Sequence, residues 1–72
     1  MLTGLKNLKS LRLEAGVSVS KIARQCDLDR GTVAAAEAGR PVAELTAAKI
    51  AKGLSSLLER RVTVEEIFSE PK

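Results

Sequence analysis

Val17-Ser18-Val19-Ser20-Lys21-Ile22 and Leu28-Asp29-Arg30-Gly31-Thr32-Val33 carry the same local signal, eleven residues apart. Each holds a polar residue able to accept from the free N–H groups of a helix start. One apolar residue stands just before it, and a second stands five positions after the first. That is an N-cap flanked by a hydrophobic staple, with Ser18 and Asp29 as the caps. Two starts so close leave room for a helix of about two turns, a tight turn and another helix. The pair spans about 18–38 and predicts a helix-turn-helix.

Outward from this pair the pattern stays helical. Leu5, Leu8, Leu11 and Ala15 follow the helical period, so a first helix is expected from Thr3 or Gly4 to Ala15, with Gly16 as its left-handed terminator. The second helix is expected over roughly 18–26 and buries Ile22, Ala23 and Cys26. The third runs from Asp29 to about Ala38 and stops at Gly39. After Pro41 a fourth begins near Val42 or Ala43 and reaches Glu59, with Ala47, Ile50, Ala51, Leu54, Leu57 and Leu58 as its buried stripe. Gly53 inside it costs up to about 1 kcal/mol relative to alanine and leaves room for a break. Arg60 and Arg61 suit the negative pole of that helix. Val62-Thr63-Val64-Glu65-Glu66-Ile67 repeats the staple with a full capping box, Thr63 with Glu66, so a short fifth helix is expected around 64–69. Residues 69–72 read as frayed, and there is no repeat, low-complexity stretch or linker.

At 72 residues the chain reads as one domain, near the lower size limit for a single unstapled core. One cysteine makes no internal disulfide, and no Cys/His set can hold a structural metal. The apolar residues are mainly Leu, Ala, Val and Ile, with one Phe and neither Trp nor Tyr, which favours packed helices over sheet. No apolar run has membrane-spanning length and no signal-peptide core is visible, so a cytoplasmic protein with a reduced thiol is expected. The net charge of +3 is unevenly spread. Residues 1–40 hold seven basic groups against four acidic ones, and residues 41–72 hold five of each. The whole excess lies in the half containing the helix-turn-helix, as a phosphate-binding face requires. In that layout the second helix is the one offered to the DNA major groove.

Several segments in order extend the pattern: Leu8-Lys9-Ser10-Leu11-Arg12-Leu13-Glu14-Ala15-Gly16-Val17-Ser18, then Ile22-Ala23, Thr32-Val33 and Glu37-Ala38-Gly39-Arg40. Lys49-Ile50-Ala51-Lys52-Gly53-Leu54 and Val64-Glu65-Glu66-Ile67-Phe68 follow. With these the chain resembles the helix-turn-helix family of Cro and the lambda-type phage repressors, also called XRE-like, over roughly residues 5–68. The resemblance implies an all-α, compact five-helix lambda-repressor-like DNA-binding domain, with the helix-turn-helix at helices 2 and 3. It also implies an ion pair of Arg12 with Glu37 between helices 1 and 3, and a close helix crossing at Ala23. The implied recognition face is Arg30, Gly31, Thr32, Ala34 and Ala35, followed by Arg40 at a phosphate. The chain departs from the family at four places. Asp27 stands where the turn usually has Gly, and asparagine and aspartate enter the left-handed region more readily than most residues. Val19 stands where a phosphate-binding Gln is common, helix 3 is rich in alanine, and Ser55–Arg61 exceeds a minimal link.

Each candidate has a functional and a plain reading. Arg30 in the first turn of helix 3 can fork onto guanine O6 and N7, the commonest specific contact, and this outweighs a surface role. Thr32 can touch a thymine methyl or a phosphate, or bond back to Asp29. Ala34 and Ala35 can meet thymine methyls, or serve only as helix formers. Gly31 permits close backbone approach. Ser18, Ser20 and Lys21 can hold phosphate, although Ser18 first has a cap to satisfy. Cys26 reads as core, not as a redox group. Val62, Val64, Ile67 and Phe68 are expected to be half core and half dimer interface, within a dimerisation region of about 54–69.

No catalytic constellation is visible: there is no His, no nucleophile beside a base and no Gly-rich phosphate loop. The sequence therefore predicts a non-enzymatic regulator that binds double-stranded DNA as a homodimer and represses by occupying an operator. It would sit at the nucleoid when bound. It needs no cofactor and has no small-molecule effector domain at this length. The alternative is an interaction module of the same fold, antiactivator-like or antitoxin-like, that binds a protein partner and reads little DNA sequence.

Overall fold

The computed structural model describes residues 3–5 and 8–69. Five helices form an all-α domain: α1 (Leu8–Ala15), α2 (Val19–Gln25), α3 (Arg30–Glu37), α4 (Glu44–Leu58) and α5 (Val64–Ile67). A short antiparallel ladder joins the two ends, β1 (Thr3–Leu5) with β2 (Phe68–Ser69), in the register Thr3 to Ser69 and Leu5 to Phe68. No helix of the described residues is long and apolar enough to cross a membrane.

The helix starts form where local chemistry places them. Ser18 Oγ accepts from the Lys21 N–H at 3.1 Å, Asp29 Oδ2 from Gly31 at 3.0 Å, and Thr63 Oγ1 from Glu66 at 3.2 Å. The ends of α1, α2 and α3 share one device, a residue in the left-handed region with two backward backbone hydrogen bonds. After α2 that residue is Asp27 (φ 57°), with the Asp27 N–H to the Arg24 carbonyl at 3.2 Å and Leu28 to Ala23 at 2.8 Å. This is a Schellman turn. It needs no glycine because aspartate tolerates the left-handed region. Gly16 and Gly39 close α1 and α3 in the same way.

Two boundaries differ from expectation. The first helix begins at Leu8, not at Thr3 or Gly4, because Thr3–Leu5 leaves the helical period and pairs with β2. Threonine and glycine are weak helix formers, so ladder hydrogen bonds outcompete a helical start there. The last helix is four residues long instead of reaching 69, since Phe68 turns extended (φ −120°, ψ 154°) to enter the ladder. Ser69 is therefore paired, and the fraying expected of 70–72 lies outside the described residues.

α4 is the central element. Ala47, Ile50, Ala51, Gly53 and Leu54 are buried, and α1, α2 and α5 pack on it. The link from α4 to α5 is clamped by Ser55, whose hydroxyl donates to the Ala51 carbonyl at 2.8 Å and accepts from the Val62 N–H at 2.9 Å. The added length of Ser55–Arg61 is thus tied down. Arg60 spans this corner, 3.1 Å from Glu66 and 3.7 Å from Glu14.

Val62, Ile67 and Phe68 are buried in this chain's own core, and only Val64 is half-exposed. Three of the four side chains expected to be half core and half dimer interface thus lie in the core. The ladder folds the chain end inward, and apolar side chains that were to need a partner are covered by their own domain.

α4 does not break at Gly53. A Cβ there would collide with Cys26 Sγ and stand 3.4 Å from Cys26 Cα, so the glycine marks the closest approach of α2 to α4. Gly53→Ala should cost about 1–3 kcal/mol in overpacking, less up to about 1 kcal/mol regained in helix propensity. In a Cys26→Ala background the obstructing sulfur is gone, so the same substitution should turn neutral or mildly stabilising. Urea unfolding of the four chains measures this. Additive effects would show that the sulfur is not the obstacle.

Candidate nucleic-acid interface

Three hydrogen bonds from one side chain tie the α2–turn–α3 unit to α1. Arg12 on α1 meets Glu37 at the end of α3 through two parallel hydrogen bonds, Nε to Oε2 at 2.8 Å and Nη2 to Oε1 at 3.0 Å. Its remaining terminal nitrogen, Nη1, donates to the Val17 carbonyl at 3.1 Å, just before α2. One guanidinium thus ties α1, the entry to α2 and the exit from α3. The two side chains are only 16% and 12% exposed. The hydrogen bonding that Arg12 donates to Glu37 raises the Arg12 pKa above its ordinary value against the opposing effect of burial. Arg12 is charged at any accessible pH, and three of its nitrogens serve structure rather than a phosphate.

Behind the unit, Val33 and Ala36 turn the inner face of α3 into the core, and Ile22 and Ala23 do the same for α2. Cys26 is buried between them and α4, donating weakly to the Ile50 carbonyl at 3.8 Å. Burial pushes its thiol pKa up, partly opposed by the Gly53 backbone amide, so the thiolate is disfavoured. This is a packing cysteine.

The outer faces carry the expected candidates. Arg30, Gly31 and Ala34 are exposed on α3, with Thr32 and Ala35 half-buried. Of the exposed residues over 30–38, Arg30, Gly31, Ala34 and Ala38, only Arg30 carries a side chain longer than a methyl group. Thr32 meets Asp29 through its backbone N–H, at 3.1 Å from the Asp29 carbonyl, and not through its hydroxyl. Ser20 and Lys21 are exposed on α2, while the Ser18 hydroxyl is engaged as a cap. Arg40 is exposed directly after the Gly39 turn.

Arg24 belongs to this group although the sequence reading passed over it. It is exposed one turn beyond Lys21, and the i, i+3 spacing was the signal for it. Among the described residues Lys21, Arg24, Arg30 and Arg40 form no ion pair, whereas Arg12 and Arg60 do. Asp27 and Asp29 are the acidic groups nearby in sequence. The Asp29 carboxylate is already committed to the start of α3.

No group of three or more His, Cys, Asp or Glu side chains among the described residues is arranged to hold a metal ion. A groove of about 360 Å³ lies between the end of α2 and α4, bordered by Gln25, Asp27, Lys49, Lys52 and Ser56. It holds no α3 residue. No protein-family model, no characterised protein and no solved structure matches this chain.

Proposed function

We propose that this is a lambda-repressor-like helix-turn-helix protein that binds double-stranded DNA as a homodimer and regulates transcription by occupying an operator. The observation carrying the reading is the capped α2–turn–α3 unit, fixed to α1 by Arg12 and Glu37, with exposed Lys21, Arg24, Arg30 and Arg40 forming no ion pair among the described residues. At eight residues α3 is roughly 12 Å long, close to the width of a B-DNA major groove. Arg30 in its first turn is the base reader, and Lys21, Arg24 and Arg40 meet phosphates. Ser20 adds a hydroxyl beside them, Thr32 and the methyls of Ala34 and Ala35 line the groove wall, and Gly31 allows close approach. Phosphate contacts orient the protein, and base contacts choose the site.

The methyl-only face of α3 favours a second reading, a docking surface for a protein partner with no sequence readout. Binding to the chain's own upstream region, measured by gel shift against random DNA, separates the two. Arg30→Ala should cost about 1–3 kcal/mol on the specific site and relax preference at one base pair per half-site. Arg40→Ala should weaken all sequences alike and reduce the salt slope by about one unit. Equal losses on specific and random DNA for both variants would remove the operator reading and leave the interaction module.

A further inference from the structure

The outer face of α4 bears the most exposed large apolar side chain of the described residues, Leu45, at 70%. Ala48 and Lys52 follow it at helical spacing and are also exposed. Beside this stripe a groove of about 420 Å³ runs between α4 and the segment entering α5, walled by Ala48, Ala51, Val62 and Val64. Lys52, Arg61 and Glu65 edge it. One face thus carries both an apolar projection and an apolar recess.

We propose that a second copy of this chain docks on this face in a two-fold dimer, with Leu45 of each protomer seated against Ala48 and Ala51 of the other. A two-fold interface uses the same patch twice and must complement itself. In an antiparallel pair of α4 helices centred on Ala48, Leu45 of one protomer stands level with Ala51 of its partner. Glu44 stands level with Lys52, because each pair is evenly spaced about Ala48. Alanine at the centre lets the helix axes approach to about 8 Å, the near limit of helix packing.

The charges point to the same occupant. Glu44, Lys52, Arg61 and Glu65 are all exposed, and none forms an ion pair among the described residues. In the antiparallel pairing Glu44 of each protomer stands level with Lys52 of the other, so opposite charges flank the centre twice. An unrelated partner would have to reproduce this mixed pattern, which the chain already has. The surface rests on the functional reading only for the homodimer to which it gives a location, and the contacts themselves involve no DNA.

Sedimentation equilibrium without DNA is the experiment. The wild-type chain should dimerise with a Kd of about 10–100 μM, as suits an interface at the small end of the range. Leu45→Glu should weaken it about thirtyfold or more, with circular dichroism unchanged, while Leu13→Glu on the exposed part of α1 should do nothing. Glu44→Lys and Lys52→Glu should each weaken the dimer, and a chain carrying both should recover. The proposal is overturned if the wild type stays monomeric at about 1 mM, a concentration that populates even millimolar dimers. It is equally overturned if Leu45→Glu dimerises normally or if the double charge reversal restores nothing. A dimer that needs Leu45 but shifts no DNA keeps this interface and removes the operator reading. An operator-binding monomer does the opposite.

Discussion

Phe68→Ala should destabilise the protein by about 3–5 kcal/mol, the usual loss when a buried aromatic is truncated to a methyl. Phe68 is 3% exposed and is the chain's sole aromatic residue. It follows buried Ile67 directly and pairs with Leu5 in the ladder that closes the domain. A domain of this size has only about 4–11 kcal/mol in total, so the variant should be marginal at 37 °C. Its thermal midpoint should fall by at least about 12 °C, or the cooperative transition should vanish. Phe68→Leu keeps most of the volume and should be markedly milder. The measurement is thermal and urea unfolding by circular dichroism. A loss under about 1 kcal/mol, the range of surface substitutions, would mean that Phe68 faces solvent. Any change in self-association should follow the unfolding and not precede it.

Arg12→Ala should cost about 2–4 kcal/mol, because it leaves the Glu37 carboxylate largely buried without its partner. It also strips a donor from the Val17 carbonyl, so the entry to α2 loosens with the exit of α3. Arg12→Lys keeps the charge but cannot supply the parallel two-nitrogen contact, and should recover only part of the loss. An Arg12→Met/Glu37→Met chain removes both charges and should be much closer to wild type than either single alanine variant. A double-mutant cycle of the alanine variants should give a coupling energy of about 1 kcal/mol or more, as expected of contacting residues. Independent, additive effects would contradict the geometry. The single variants should also weaken any DNA binding, since they unfix α3 without touching its outer face.

The α2–turn–α3 unit was legible because each of its signals is local. A cap closes over two or three residues, as Ser18 does with Lys21 and Asp29 with Gly31. Asp27 could be assigned to the turn on backbone preference alone. The Arg12–Glu37 pair was different: composition and spacing carry no sign of it, and it was anticipated only through the family resemblance. The contact face of α3 was likewise named through that resemblance, and of its residues Arg30, Gly31 and Ala34 are exposed while Thr32 and Ala35 are half-buried. Arg24 was missed although its i, i+3 spacing from Lys21 was visible in the sequence.

What the sequence by itself determined is thus the set of five helices, the caps Ser18, Asp29 and Thr63, the terminators Gly16 and Gly39, and the buried stripes of α2 and, as far as Leu54, of α4. Those rest on interactions that span at most one or two turns. What only the tertiary structure decided lies where distant segments meet. Thr3–Leu5 is a strand only because Ser69 and Phe68, at the other end of the chain, offer it a partner. Gly53 is required only because Cys26 crosses α4 there. Val62, Ile67 and Phe68 were recognisably apolar and in need of cover. The hydrophobic effect has no direction, so their own domain or a second subunit would satisfy it equally. The chain's closure on itself made that choice, and it left Leu45, not Phe68, facing outward.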